Sequence, residues 1–312
     1  MRRDILGRLM DPRILDGTAI AAEIKAELKE DIQNLGFTPG LTVVLIGDDP
    51  ASAIYVRNKI KACEELGIRS TELRPEPTIS TDELLEIIAR LNADDGVDGI
   101  LVQLPLPKHV DKKKVLDAIS PEKDVDGFHP MNVGLLSTGQ DCLSPCTPTG
   151  VLEILKRAGI RTDGAEAVVV GRSDIVGKPT AMMLTQADAT VTLCHIHTKD
   201  LASHTRRAEI LVVAAGHPGL ITADMVKPGA VLIDVGINRI TDPVQFQRFF
   251  AGDAKREESF AKRGSVVMGD IAPQAFALSS AYTPVPGGVG ALTIAMLMHN
   301  TVKAARLRRA AK

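Results

Sequence analysis

Apolar and polar positions along this chain fall into blocks that switch between a helical and a strand period. From 17 to about 35, Ile20, Ile24 and Leu28 recur four residues apart on one helix face, and Pro39-Gly40 stops the run. The stretch 41–47 is short, apolar and rich in branched residues, as suits a strand buried on both faces. A helix over 52–66 follows, then a strand over 68–73, a helix over 81–91 and a strand over 97–103. That strand ends in Gln103-Leu104-Pro105-Leu106-Pro107, where proline forbids further ladder pairing. The rhythm restarts at Thr147, read as an N-cap with Pro148 at the first helical position. Strands are predicted at 167–170, 189–194, 209–214 and 230–235, shorter ones at 266–268 and 281–283, and a last helix over 292–306. Strands alternating with helices predict an α/β chain with parallel sheets. Residues 1–13 read as an extension, and 241–264, charged and phenylalanine-rich, break the rhythm.

The helix over 52–66 carries the first candidate chemistry. It sets Arg57, Asn58, Lys61, Glu64 and Glu65 on a polar side and Val56, Ile60, Cys63 and Leu66 on the other. Lys59 falls inside the apolar arc, in one stripe with Ser52 and Tyr55. An amine held there is expected to be partly desolvated. Desolvation disfavours an ammonium, so Lys59 is a candidate for proton exchange, with Tyr55 one turn earlier to orient it. Alone, such a lysine reads more simply as a stem snorkelling over apolar surface. Its company changes that reading. Ligands of parallel sheets gather at the carboxyl ends of strands; Gln103 closes one strand and the Lys59 helix leaves another. The loop Asp124-Val125-Asp126-Gly127-Phe128-His129-Pro130 is by itself an Asx turn, but beside Lys59 and Gln103 it becomes a candidate holder of a polar heterocycle. His129 is read as structural.

In the second half, 167–177 is a strand, a tight turn and a helix start, the context of a dinucleotide site. The pattern departs from GxGxxG: Ser173 stands at the middle glycine and Gly177 comes one residue late. No acid follows the second strand to take ribose hydroxyls. Arg172, His195 and His197 instead supply positive or donor character, which suits the 2′-phosphate of NADP. A metal reading of the two histidines lacks a carboxylate or thiolate pair beyond Cys194. Ile237 is a candidate to lie against a nicotinamide. The glycines of 284–290 let backbone approach a ligand, or serve a hinge between domains.

Composition narrows the class. A chain of 312 residues, 45% hydrophobic and 24% charged, has room for two domains. A net charge of −2 gives no electrostatic reason to expect nucleic acid or an anionic membrane as partner. No apolar run approaches a membrane span and no signal-like core opens the chain, so a cytoplasmic protein is expected. The four cysteines are too scattered for a disulfide scaffold and are read as thiols.

Taken in order, Tyr55-Val56-Arg57-Asn58-Lys59, Gly99-Ile100-Leu101-Val102-Gln103-Leu104-Pro105-Leu106-Pro107, Lys123-Asp124-Val125-Asp126-Gly127-Phe128, Pro145-Cys146-Thr147-Pro148, Gly171-Arg172-Ser173, Val235-Gly236-Ile237-Asn238 and Pro284-Val285-Pro286-Gly287-Gly288-Val289-Gly290 resemble the bifunctional methylenetetrahydrofolate dehydrogenase/methenyltetrahydrofolate cyclohydrolase family. The resemblance runs from Ile14 to about Lys303. It implies oxidation of 5,10-methylenetetrahydrofolate with NADP, then hydrolysis to 10-formyltetrahydrofolate. Lys59 would transfer the proton, Gln103 tune it, Tyr55 stack near the folate and Asp126 bind the pterin. Val102, Leu104 and the turn Pro286-Gly287-Gly288 would complete the folate site, while Gly171, Arg172, Ser173 and Ile237 would hold NADP, with no metal. The implied fold is an amino-terminal α/β domain over 1–147, rejoined by the helix 291–312, and a Rossmann domain over 148–290, with a cleft between them, in a homodimer.

Three positions depart from the family's pattern. Ile196 stands where relatives often place a serine on the 2′-phosphate, Ala291 where proline is usual, and 241–264 is longer than the family's connection. Four of the seven phenylalanines lie in that insert, which is expected to pack on the Rossmann surface or on a dimer partner. A Rossmann dehydrogenase for another small substrate would not require Lys59, Gln103 and Asp126 together. Loss of the cofactor site would leave a hydrolase alone, against which the intact Gly171-Arg172-Ser173 speaks. Loss of Lys59 would suggest a non-enzymatic sensor.

Overall fold

A computed structural model describes residues 11–47 and 49–310. In chain order the elements are β1 (Arg13–Ile14), α1 (Gly17–Gln33), β2 (Gly40–Val44), α2 (Pro50–Leu66), β3 (Arg69–Leu73), α3 (Thr81–Ala93), β4 (Gly99–Val102), α4 (Lys112–Asp117), α5 (Pro130–Ser137) and α6 (Cys146–Arg157). They continue with β5 (Glu166–Val170), α7 (Gly177–Gln186), β6 (Thr190–Cys194), α8 (Leu201–Thr205), β7 (Ile210–Val213), β8 (Val231–Asp234) and β9 (Asn238–Ile240). After these come α9 (Pro243–Phe250), α10 (Ala254–Arg263), β10 (Val266–Met268), β11 (Ala281–Tyr282) and α11 (Val289–Ala310). Two units emerge, and the chain passes between them at 20–21, 149–150 and 292–293.

The unit made of 21–149 and the end of α11 is built on a parallel sheet in the order β3-β2-β4. Every residue of β2 and β4 is buried, which explains why they are apolar apart from Thr42. One face of the sheet meets α3 and α4 through Val44, Ile46, Leu84, Ile88, Ile100, Val102 and Val115. Asp98, wholly buried, ties the chain's end into this unit: its carboxylate accepts from Arg308 at 3.0 Å, Arg309 at 2.7 Å and the Gly40 backbone N–H at 2.9 Å. The Arg309 guanidinium also lies 4.1 Å over the Phe37 ring.

The other unit, from the first described residues to 20 and from 150 to 292, carries a wholly parallel six-stranded sheet in the order β1-β11-β8-β7-β5-β6. From β5, next to the sheet edge, the chain goes outward to edge strand β6 and then back across to β7, so strand order reverses there. That switch point opens at the carboxyl ends of β5 and β7. The sequence reading keeps 1–147 in the first domain, but Arg13–Ile14 pairs with Ala281–Tyr282 in this second sheet. Two residues of strand give too short a pattern to read, and residues 1–10 lie outside those described. Thr147 is likewise not an N-cap: α6 begins at Cys146, and the Thr147 hydroxyl meets that of Thr293 at 3.0 Å.

The insert 241–264 forms α9 and α10 between the antiparallel strands β9 and β10. Phe246, Phe249 and Phe250 are buried with Ile240, Val266, Met268 and Ala272, and Phe260 packs against them. Phe249 also fills the space beside Gly219, where an added Cβ would meet its ring at 2.3 Å. These aromatics are therefore covered by their own unit.

Candidate functional site

Helix α2 is capped by Asp49, whose carboxylate accepts the Ser52 N–H at 2.8 Å, and stopped by Gly67 in the left-handed conformation. Ser52, Val56, Lys59 and Cys63 are its buried stripe, and Lys59 is only 8% exposed. Tyr55 sits at the edge of that stripe at 38% exposure, with burial of its phenol raising the pKa.

Gln103 leaves β4 on the face opposite Ile100 and Val102, as strand alternation dictates. Its Nε2 donates to the Leu104 carbonyl at 2.7 Å, which turns Oε1 toward Lys59, and the Lys59 Nζ donates to it at 3.0 Å. The amide is thus oriented by its own backbone before it meets the lysine. Leu104 is half-buried beside it. Val102, expected on the folate, has its side chain in the core with Ile46 and Ile100, since alternation points it away from Gln103.

The two acids of the 124–126 loop divide their work. Asp124 is buried, and its Oδ2 accepts the His129 N–H at 2.8 Å and Asn132 Nδ2 at 2.9 Å. Desolvation holds its pKa up against those bonds. His129 caps α5, its Nδ1 accepting the Met131 N–H at 3.0 Å, a structural role as expected. Asp126 accepts no hydrogen bond among the described residues. Burial pushes its carboxyl up to about 6, the Lys59 charge opposing and the Asp124 charge adding to the rise. A half-buried carboxylate with open lone pairs, within the field of a buried lysine, is equipped to take N–H donors from a ligand.

Three residues that sequence reasoning assigned no role hold this loop in place. Lys123, with no exposed surface, donates to the carbonyls of Leu91 at 2.9 Å, Asn92 at 2.7 Å and Asp94 at 2.7 Å, closing the end of α3. From α11, Asn300 donates to the carbonyls of Val125 and Ser144, both at 2.8 Å. Cys146 donates its thiol to the Val125 carbonyl at 3.3 Å, and burial drives its pKa well up. The one available signal was a polar asparagine inside the apolar run of α11; Lys123 carries none.

In the other unit, Gly171 follows β5 with φ of +121°, and a Cβ there would stand 2.1 Å from the Ala214 carbonyl oxygen. Gly177 is equally obligatory, because its Cβ would meet the Gly171 oxygen at 2.0 Å. Between them the Ser173 Oγ accepts the N–H groups of Val176 and Gly177 at 3.2 Å, so a hydroxyl closes the turn that lacks its middle glycine. Arg172 is exposed at this strand end, and its charge contributes to lowering the pKa of His195, after desolvation. His195 and His197 meet edge to face at 5.9 Å beyond β6, and Ile196 is 91% exposed.

Ile237 presents an apolar side chain that is 53% exposed after β8. The neighbouring turns are fixed by two buried acids: Asp270 accepts the Ala215 and Gly216 N–H groups at 2.7 and 2.8 Å, and Asp234 those of Gly236 and Asp270 at 3.0 and 2.9 Å. At the turn Pro286-Gly287-Gly288, the Gly287 carbonyl accepts the Thr18 N–H at 3.2 Å, and Gly287 has φ of +101°. Among the described residues no group of three or more histidine, cysteine or carboxylate side chains is placed to hold a metal ion, and no helix is long and apolar enough to cross a membrane.

Comparison with known proteins assigns both halves. Residues 15–126 match the tetrahydrofolate dehydrogenase/cyclohydrolase catalytic domain, and 145–309 its NAD(P)-binding domain. The bifunctional protein FolD of Koribacter versatilis is 62% identical over 299 residues, spanning 95% of this chain and 97% of that relative. The crystal structure of the bifunctional methylenetetrahydrofolate dehydrogenase/cyclohydrolase FolD from Campylobacter jejuni superposes with a TM-score of 0.86 at 48% identity, over 95% of this chain and 99% of that one. The Trypanosoma brucei enzyme, solved with NADP cofactor and inhibitor, gives 0.86 at 35% identity, over 96% of this chain and 99% of its own.

Proposed function

The chain belongs to the tetrahydrofolate dehydrogenase/cyclohydrolase family, and from that premise we propose that it oxidises 5,10-methylenetetrahydrofolate with NADP and hydrolyses the resulting 5,10-methenyltetrahydrofolate to 10-formyltetrahydrofolate. The observation that carries the hydrolytic half is the buried Lys59 bonded to an amide that its own backbone orients.

Water attack on the methenyl carbon requires removal of a proton from the water oxygen, and opening of the ring requires delivery of one to the departing nitrogen. Lys59 is the group that takes and gives it, and Gln103 fixes where the amine stands. Asp126 takes the N–H donors of the pterin, Tyr55 stacks on the folate, and Leu104 lines the site with the backbone beside Val102. The turn Pro286-Gly287-Gly288, a folate contact by the family resemblance, offers its backbone to a ligand.

The strand-end residues fit NADP. The crowded glycine turn leaves no room for side chains where backbone must approach phosphates, and Arg172 with the two histidines supplies donors for a 2′-phosphate. When bound, the nicotinamide supplies the hydride acceptor. Exposed Ile237 offers it an apolar support, and the Asp270 carboxylate holds the Ala215–Gly216 turn. We further infer a cytoplasmic homodimer; four buried free thiols accord with a reducing compartment, and light scattering reads the mass.

The test is an absorbance assay of the purified chain. Reduction of NADP must depend on 5,10-methylenetetrahydrofolate, and 5,10-methenyltetrahydrofolate must hydrolyse faster with enzyme than without. Failure of either removes that half of the proposal.

A further inference from the structure

The insert between β9 and β10 does more than bury its own phenylalanines. From α10 it sends Arg256 back to the body of the unit. This side chain is half-buried, with its guanidinium 4.5 Å over the Phe250 ring. One guanidinium nitrogen, Nη1, donates to the Val267 carbonyl in β10, and the other, Nη2, donates to the Val285 carbonyl at 3.0 Å. Asp253 stands 4.0 Å from Nε and caps the same helix. The fork is thus set by an aromatic face, an acid and a strand carbonyl, and what it grips is the residue before Pro286-Gly287-Gly288.

On its other side the same turn is held by the start of α1. Thr18 donates its N–H to the Gly287 carbonyl at 3.2 Å, and an added Cβ on Gly17 would stand 2.1 Å from the Gly288 oxygen. A turn whose use is to present backbone to a ligand needs such fixing, because its own residues offer no packing to hold it.

We propose that the helical insert is a brace for the substrate turn, and that Arg256 is a positioning residue for folate binding. The proposal rests on the reading that this turn meets the folate. Arg256 touches neither substrate nor cofactor. Its removal leaves the Val285 carbonyl without a charge-assisted donor, and the turn samples orientations that bind folate poorly. The cofactor turns after β5 and β7 have separate anchors in Ser173 and Asp270, so NADP binding does not depend on it.

The experiment compares Arg256→Met and Arg256→Lys with the unmodified full chain in the dehydrogenase assay, varying 5,10-methylenetetrahydrofolate and NADP in turn and recording melting temperatures. Methionine keeps an apolar stem near Phe250 and removes the fork; lysine keeps a cation with N–H donors but loses the planar fork. The folate KM is expected to rise on the order of tenfold for methionine, and less for lysine. At saturation kcat and the NADP KM should stay within about twofold, a scale set by the loss of one charged hydrogen bond. A folded methionine variant with unchanged folate KM overturns the proposal, as does a rise of both KM values together. Should the methionine variant fail to fold, the lysine variant decides by the same criteria. An unmodified chain that does not turn over methylenetetrahydrofolate refutes the functional reading itself; turnover with an indifferent Arg256 refutes only the brace.

Discussion

Replacing Lys123 by methionine tests how the loop bearing Asp126 is held. Methionine keeps most of the buried stem and removes three donors at once, stranding the carbonyls of Leu91, Asn92 and Asp94 at the end of α3. An acceptor left unpaired out of water costs about 1–3 kcal/mol. These three close a helix end that water partly reaches, and removing a buried cation returns part of the loss. Desolvation, reinforced by the Arg308 charge, already lowers the Lys123 pKa, so the ammonium is not costless in place. The net expectation is a destabilisation of about 2–4 kcal/mol, or a drop of roughly 5–15 °C in melting temperature for domains of this size. Asp126 lies three residues on, so the folate KM should rise in the surviving folded enzyme while the NADP KM does not. Calorimetric unfolding and steady-state kinetics measure both. A melting temperature within 2 °C of the unmodified protein would refute the reasoning.

Because burial raises the Asp126 pKa to about 6, its carboxylate, proposed to take the pterin N–H donors, is lost as pH falls through that value, not through the ordinary carboxylate range near 4. The folate KM should therefore climb below pH 6, and Asp126→Asn should abolish the step; an unaltered step in the variant contradicts the assignment. Arg172→Ala should raise the KM for NADP roughly ten- to hundredfold and that for NAD little, the scale of a lost guanidinium–phosphate pair. Equal kcat/KM for the two cofactors in the unmodified chain would contradict the preference. Phe246, 3% exposed and stacked on Phe260 at 4.4 Å, should cost about 3–5 kcal/mol when changed to alanine, read by thermal unfolding. A loss below 1 kcal/mol would show the insert to be loosely attached.

How much was legible beforehand depended on the kind of signal. Parallel strands such as β2, β5 and β7 are buried on both faces, so their apolar runs and closing glycines could be read directly. Lys59 announced itself as a charge inside an apolar arc, and Gln103 as the residue that ends a buried strand. Short elements left no periodicity to find: β1 has two residues and α8 five, and pairing partners 268 positions away set the first of them. Val102 was assigned with its neighbours to the folate, yet alternation alone would have turned it to the core once Gln103 was placed outward. Lys123, Asp98 and Arg256 were invisible for another reason. Lys123 and Arg256 stand among charged residues, and only their tertiary acceptors distinguish them from solvated side chains; Asp98 lies inside the strand predicted over 97–103, and its role shows only in the donors that α11 brings to it.

The central claim is that a buried lysine carries the hydrolytic proton. Lys59→Met keeps much of the stem's volume, so the variant should fold, bind NADP and continue to oxidise 5,10-methylenetetrahydrofolate, since hydride transfer depends on orientation more than on that proton. Lys59→Arg should fail nearly as badly in hydrolysis, because a guanidinium does not give up its proton. The deciding measurement is the rate of 5,10-methenyltetrahydrofolate hydrolysis by folded Lys59→Met. The account predicts a fall of about 10²–10⁴-fold, the usual contribution of one acid–base group; hydrolysis at the unmodified rate would contradict it and reduce Lys59 to a side chain that merely packs.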